Sequence, residues 1–134
     1  MTVLDASVVV AALVDDGADG EWSARVIADG GAGGGLVAPH LLPVEVAHTL
    51  RRAVLLGRIG ADAASLAHRD LVRLDITLVP YEAVASRVWE LRSSVRPYDA
   101  WYVAVAESFG LPLATLDARL ISSPGPHCEF ITPG

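Results

Sequence analysis

Five short apolar segments alternate along the chain with longer stretches in which apolar positions recur every three or four residues. Thr2 to Leu4, Leu36 to Ala38, Ile76 to Val79, Leu113 to Leu116 and Glu129 to Thr132 are short and rich in β-branched or aliphatic residues, which predicts five strands. Helical spacing marks Ser7 to Leu13, Glu21 to Ala28, Pro43 to Leu56, Ala61 to Leu74, Ala83 to Ser94 and Tyr98 to Phe109. Strictly alternating elements imply an α/β fold on a parallel sheet, because each parallel return needs a crossover and the helices supply it.

Residues with a mechanical role mark the boundaries. Gly57 and Gly110 follow helices at C-cap positions, while Pro43 and Pro97 stand where a first helical turn tolerates a missing N–H. The run Gly30-Gly31-Ala32-Gly33-Gly34-Gly35 formally contains a loose dinucleotide fingerprint, Gly33-x-Gly35-x-x-Ala38. It leads into a strand instead of opening a helix, so it reads as a flexible helix-to-strand loop.

Composition narrows the chemistry. With 134 residues the chain is expected to form one domain spanning 1–134, since two cores from so few residues would each bury too little apolar surface. An apolar fraction of 52% rules out disorder as the main state. All ten basic residues are Arg, which excludes reactions that need a lysine amine, such as P-loop phosphate binding and Schiff-base chemistry. The longest apolar-or-small run, Ala6 to Val14, falls short of the roughly 18 residues of a membrane span. Met-Thr-Val-Leu-Asp carries an acid where a secretory leader would be basic, and Cys128 is the only cysteine, so a cytoplasmic protein without disulfides is expected.

Carboxylates then change the picture. In a parallel sheet the carboxyl ends of strands and the amino ends of the following helices share one edge, where ligands bind. Asp5 ends the first strand and Asp117 the fourth; Glu45 and Asp99 stand in the first turns of the helices opened by Pro43 and Pro97. In the strand order 3-2-1-4-5, Asp5 and Asp117 would be neighbours at the switch point. Any one of these acids could simply cap a helix, but four at one edge repel unless cations or protons neutralise them. Oxygen donors without clustered His or Cys favour Mg²⁺ or Mn²⁺. Arg96 and Arg119 lie within three residues of Asp99 and Asp117, where each could hold a substrate phosphate or form an ordinary ion pair.

Other constellations weigh less. Glu45-x-x-His48 has the spacing of half a di-iron site, without the second pair such a site needs. His40, His68 and His127 share no helical face. Trp89, Trp101 and Tyr102 could stack bases but read first as packing residues. The segments Val3-Leu4-Asp5-Ala6-Ser7, Pro43-Val44-Glu45-Val46, Tyr98-Asp99-Ala100-Trp101-Tyr102-Val103-Ala104-Val105-Ala106 and Thr115-Leu116-Asp117-Ala118-Arg119-Leu120 resemble the four motifs of the PIN domain, above all those of VapC-type toxins from bacterial toxin–antitoxin pairs.

The resemblance spans essentially the whole chain and shows no departure at the acids. It implies a three-layer α/β/α fold with a five-stranded parallel sheet of order 3-2-1-4-5. It also implies a Mg²⁺- or Mn²⁺-dependent endoribonuclease acting on tRNA or rRNA and leaving 5′-phosphates, inhibited by a cognate antitoxin and homodimeric. By motif match Asp5, Glu45, Asp99 and Asp117 are the acidic, metal-holding site, with Ser7 and Thr115 as hydroxyl supports. Rival folds fit less well. A response-regulator receiver needs a lysine, a haloacid-dehalogenase-like phosphatase wants Asp-x-Asp where Asp5-Ala6-Ser7 stands, and a flap-type nuclease needs extra helices. A catalytically silent PIN-like binding module would be expected to have lost an acid. Surface left uncovered on Ala6 to Val14 and Val44 to Leu56 is expected to receive an amphipathic partner helix.

Overall fold

The computed structural model describes residues 1–134. Strands β1 (Thr2–Leu4), β2 (Leu36–Pro39), β3 (Ile76–Val79), β4 (Leu113–Ala114) and β5 (Phe130–Ile131) form one sheet of parallel neighbours in the order β3-β2-β1-β4-β5. The sheet is the one expected from the sequence. In the central strand Val3 pairs with Val37 on one side and Leu113 on the other. All three β1 residues are buried, which is why the segment shows no polar alternation.

Seven helices flank the sheet: α1 (Ala6–Val14), α2 (Ala18–Ala32), α3 (Leu42–Leu55), α4 (Ala61–Arg73), α5 (Ala85–Glu90), α6 (Pro97–Phe109) and α7 (Ala118–Ser122). Helices α1 to α4 pack on one another, whereas α5 packs on α6, which lies against β1, β2 and β4. Helix α6 carries more buried residues than any other helix, with Ala100 and every residue from Tyr102 to Ala106 in the core. Pro97 opens it, and Gly110 closes it in the left-handed conformation at φ 64° that an L side chain disfavours. No helix is long and apolar enough to cross a membrane.

Four local expectations are corrected. The helix expected over Ala83 to Ser94 is a 3₁₀ turn at Tyr81–Ala83, the short α5 and a further turn. Tertiary contacts win there, since the Ser94 hydroxyl donates to the Pro124 carbonyl at 2.6 Å. Helix α2 runs on into the glycine-rich stretch expected to be a loop, because buried Gly30 lets it approach the sheet: a Cβ there would lie 2.7 Å from Leu36 Cδ2. Strand β4 ends at Ala114, two residues short of the expected Leu116, and the short α7 had no periodicity to betray it. Finally, α1 is apolar all round because it is enclosed: Ala6, Val8, Val9 and Ala11 are buried, and Val10, Leu13 and Val14 are partly buried against the core. Among the exposed apolar side chains, Val44, Leu55, Leu56, Leu66 and Val72 lie on α3, α4 and the turn after α3.

Candidate functional site

Asp5 follows β1 directly and stands at the N-cap of α1; Glu45 lies in the first turn of α3 and Asp99 in that of α6. Asp117 comes three residues after β4, where it caps α7 by accepting from the Arg119 amide at 2.9 Å and the Leu120 amide at 3.4 Å. All four line one cavity of about 710 Å³ at the carboxyl edge of the sheet. As the side chains stand, no three His, Cys, Asp or Glu groups converge closely enough to hold one ion. Each acid except Glu45 is turned toward a donor of its own.

The Asp5 contacts brace the sheet edge. Its Oδ2 accepts from the Thr115 hydroxyl at 2.7 Å and from the Ser7 hydroxyl at 2.9 Å. Those hydroxyls in turn accept from the backbone of the turn after β4, Thr115 Oγ1 from the Asp117 amide at 3.0 Å and Ser7 Oγ from the Leu116 amide at 3.1 Å. Two hydroxyls thus tie the end of β1 to the segment that presents Asp117. Thr115 is fully buried, so Thr115→Val keeps the shape but removes one of the two donors to a buried carboxylate oxygen and leaves the Asp117 N–H without its acceptor. The expected loss is about 2 kcal/mol, read by urea denaturation at pH 7.

Electrostatics follow burial. Desolvation pushes the Asp5 carboxyl above its ordinary value; the Thr115 and Ser7 hydrogen bonds oppose this, and the Asp99 charge adds to it. Glu45 is also raised, chiefly by burial, with Tyr102 opposing and the charges of Asp5 and Asp99 adding. The Tyr102 hydroxyl, driven far upward by burial and by the Glu45 charge, is fully neutral. Neither it nor Glu45 Oε1 has a well-formed hydrogen bond, although both are buried. This half-satisfied pair is the feature of the site that most invites a further ligand.

Arg96 Nη2 donates to Asp99 Oδ2 at 3.3 Å, with the arginine 71% and the aspartate 20% exposed. Arg96 and Asp99 also line two adjoining cavities. One, of about 220 Å³, includes Asp117 and Arg119; the other, of about 460 Å³, includes Glu45, His48 and Tyr98. The aromatic residues sort differently from the sequence reading. Tyr102 and most of Trp101 are in the core; Trp89 is exposed under the Arg92 guanidinium, 4.6 Å from the ring centroid. Tyr98, which sequence reasoning passed over, is the aromatic residue that shares a cavity with the carboxylates. Its signal was its place immediately before Asp99 in a first helical turn. Cys128 is half-buried and burial lifts its thiol to about 11, so it is no nucleophile. His40, His68 and His127 form no cluster.

Residues 2–124 match the family described as PIN domain. The chain is 38% identical over 130 residues to ribonuclease VapC9 of Mycobacterium tuberculosis strain ATCC 25618 / H37Rv, covering 97% of this chain and 96% of that one. Its fold is similar to that of PAE2754 from Pyrobaculum aerophilum, with a TM-score of 0.71 and 25% identity over 98% of this chain and 88% of the other. It also resembles VapC20 of M. tuberculosis, a Sarcin-Ricin loop cleaving toxin, with a TM-score of 0.69 and 17% identity over 91% and 94% of the two chains.

Proposed function

The chain belongs to the PIN-domain family, among its VapC ribonucleases, and from that premise we propose that it is a toxin component that hydrolyses RNA phosphodiester bonds at Asp5, Glu45, Asp99 and Asp117. The observation that carries this reading is that all four carboxylates line one cavity, with two of them, Asp5 and Glu45, already pushed toward protonation by burial. A cavity that raises its buried carboxyls and offers their charge only one arginine partner is suited to a cation.

The donor set fits Mg²⁺ or Mn²⁺, being all oxygen, and Glu45 Oε1 is a buried acceptor left without a good partner. Asp5, Glu45, Asp99 and Asp117 would hold the ion, which when bound acidifies a water and offsets charge on the phosphate oxygens. The protein does the rest by position. Thr115 and Ser7 fix the Asp5 rotamer, the α7 cap fixes Asp117, and Glu45 or Asp99 orients the attacking water by accepting its hydrogen bond. Arg96 and Arg119, in adjoining cavities, hold the substrate phosphate by charge-assisted hydrogen bonds. Attack from water leaves a 5′-phosphate and a 3′-hydroxyl. The net charge of −6 becomes −6 + 4 = −2 once the four ligands are neutralised, which suits selective rather than indiscriminate binding of RNA.

A cognate antitoxin is the natural inhibitor in this reading. The exposed apolar residues of α3, α4 and the turn between them, such as Val44, Leu55 and Leu66, give its amphipathic helix, and a second copy in a homodimer, surface to cover. A catalytically silent module would be marked by a missing acid, and all four are present.

Incubation of the purified protein with total tRNA and rRNA tests the chemistry. Cleavage is expected with Mg²⁺ or Mn²⁺, to stop on chelation, and to leave 5′-phosphates. Cleavage that survives chelator, or 2′,3′-cyclic ends, would overturn it. Co-expression with the genomic neighbour tests the partner: relief of growth arrest together with co-purification is expected.

A further inference from the structure

The cavity of about 460 Å³ beside Asp99 is of ligand size and joins the carboxylate cavity through Glu45, Arg96 and Asp99. Whatever fills one lies next to what fills the other. Tyr98 is 60% exposed, and Val44 is 66% exposed at the same cavity, so neither side chain is held there by the core. Leu41 adds apolar wall, and polar atoms come from His48 and Thr49 as well as from Glu45, Arg96 and Asp99 at the side shared with the carboxylate cavity. The Thr49 hydroxyl donates to the Glu45 carbonyl at 3.0 Å, which leaves its oxygen lone pairs to accept from an occupant. At the junction stands Arg96, with one of its N–H groups on Asp99 and the guanidinium otherwise exposed.

This combination of a π face, apolar walls, a few polar atoms and an arginine at the mouth suits a nucleobase whose phosphate sits over the arginine. We propose that this cavity seats an unpaired base of the nucleotide flanking the scissile phosphate, stacked on Tyr98, with Arg96 holding the phosphate between base and carboxylates. The proposal rests on the reading that the chain cleaves RNA. Charge gives it a second support: at −6 and without lysine, the protein has little indiscriminate attraction for a polyanion, so affinity must come from contacts such as base stacking. Tyr98 is then a residue that selects unpaired loops over duplexes, whose bases cannot be splayed onto it.

Stacking made equally in ground and transition states changes KM and not kcat. After the cut sites of the wild-type protein are mapped in total RNA, a short RNA carrying one site serves as substrate, with and without an abasic nucleotide on either side. Tyr98→Ala is expected to raise KM by about 5- to 100-fold with kcat nearly unchanged, and Tyr98→Trp to restore KM. An abasic substitution on one side should raise the wild-type KM by a similar factor and that of Tyr98→Ala hardly at all. Because Tyr98 is mostly exposed, both variants should melt with the parent. A wild-type KM in Tyr98→Ala, with cleavage intact, overturns the base seat and leaves the nuclease reading standing. So does a Tyr98→Ala protein whose RNA kinetics are unaltered but whose complex with the co-expressed antitoxin is weakened, since the cavity is then a protein contact. If the wild-type protein cuts no RNA under any metal condition, the nuclease reading fails and the base seat with it.

Discussion

Asp5→Asn is expected to abolish RNA cleavage while leaving the metal-free protein at least as stable as its parent. The two halves have one cause. Asp5 is 7% exposed, and its carboxyl is raised by desolvation, with Asp99 adding repulsion that the Thr115 and Ser7 hydrogen bonds only partly offset. An asparagine keeps both hydrogen bonds by placing its amide oxygen where Oδ2 accepts them, but it removes the charge. Cleavage should fall by about a hundredfold to a thousandfold or more, the scale seen when a charge-stabilising group is deleted from an active site. Asp5→Ala should be equally inactive yet destabilised, because Thr115 and Ser7 lose their acceptor.

The pH dependence separates this from an ordinary structural aspartate. Since the folded value lies above the unfolded one, the folded chain keeps a proton that the unfolded chain releases. Stability in chelator therefore falls as pH rises from about the ordinary 3.8 through the raised value of Asp5. In Asp5→Asn that part of the slope disappears, leaving the share of Glu45. Thermal melts across this range check it. A variant less stable than its parent at neutral pH would mark Asp5 as a structural aspartate.

Gly20→Ala is expected to cost about 3 kcal/mol or more, although alanine is the better helix former by about 1 kcal/mol. A Cβ at Gly20 would overlap the Asp15 carbonyl oxygen and lie 2.7 Å from its carbon and 3.0 Å from the Ala11 oxygen. These are backbone atoms at the end of α1, so no rotamer change relieves the contact. The helices must part, and α1 cannot yield freely because it begins at the braced Asp5. Gly31→Ala supplies the control: it lies in the same helix with nothing within 4 Å, so only the propensity gain remains, up to about 1 kcal/mol of stabilisation. Urea denaturation of the two variants should therefore move in opposite directions.

Particular residues show how far the sequence could be read. The strands and their parallel class were legible because Thr2 to Leu4, Leu36 to Ala38 and Leu113 onward are short apolar runs separated by helical periods, whereas the order 3-2-1-4-5 came from the resemblance to the PIN domain. The four acids could be placed on one edge because strand ends and helix starts are bounded by Pro43, Pro97 and short apolar runs. What remained hidden depends on contacts distant in sequence. Gly30 looks like a loop glycine until Leu36 is seen against it; Ser94 leaves a helical pattern for the carbonyl of Pro124. The orientation of the acids is likewise tertiary: that Asp117 caps α7 while Glu45 Oε1 lacks a good partner could not be read from spacing. Tyr98 was hidden differently, since a helical aromatic is ordinarily a packing residue and only exposure distinguishes it.

The brace between Asp5 and Thr115 joins residues 110 positions apart. During synthesis β1 and its aspartate emerge first, but their partner leaves the ribosome only when most of the chain has been made. Until then the first strand lacks one neighbour and Asp5 lacks its buried donor, and closing so long a loop is an entropic cost met late in folding. A growing polypeptide therefore carries the acids without the arrangement. The carboxylate edge is therefore assembled only when translation is nearly done, and truncated products that end before β4 should lack RNA-cleaving activity.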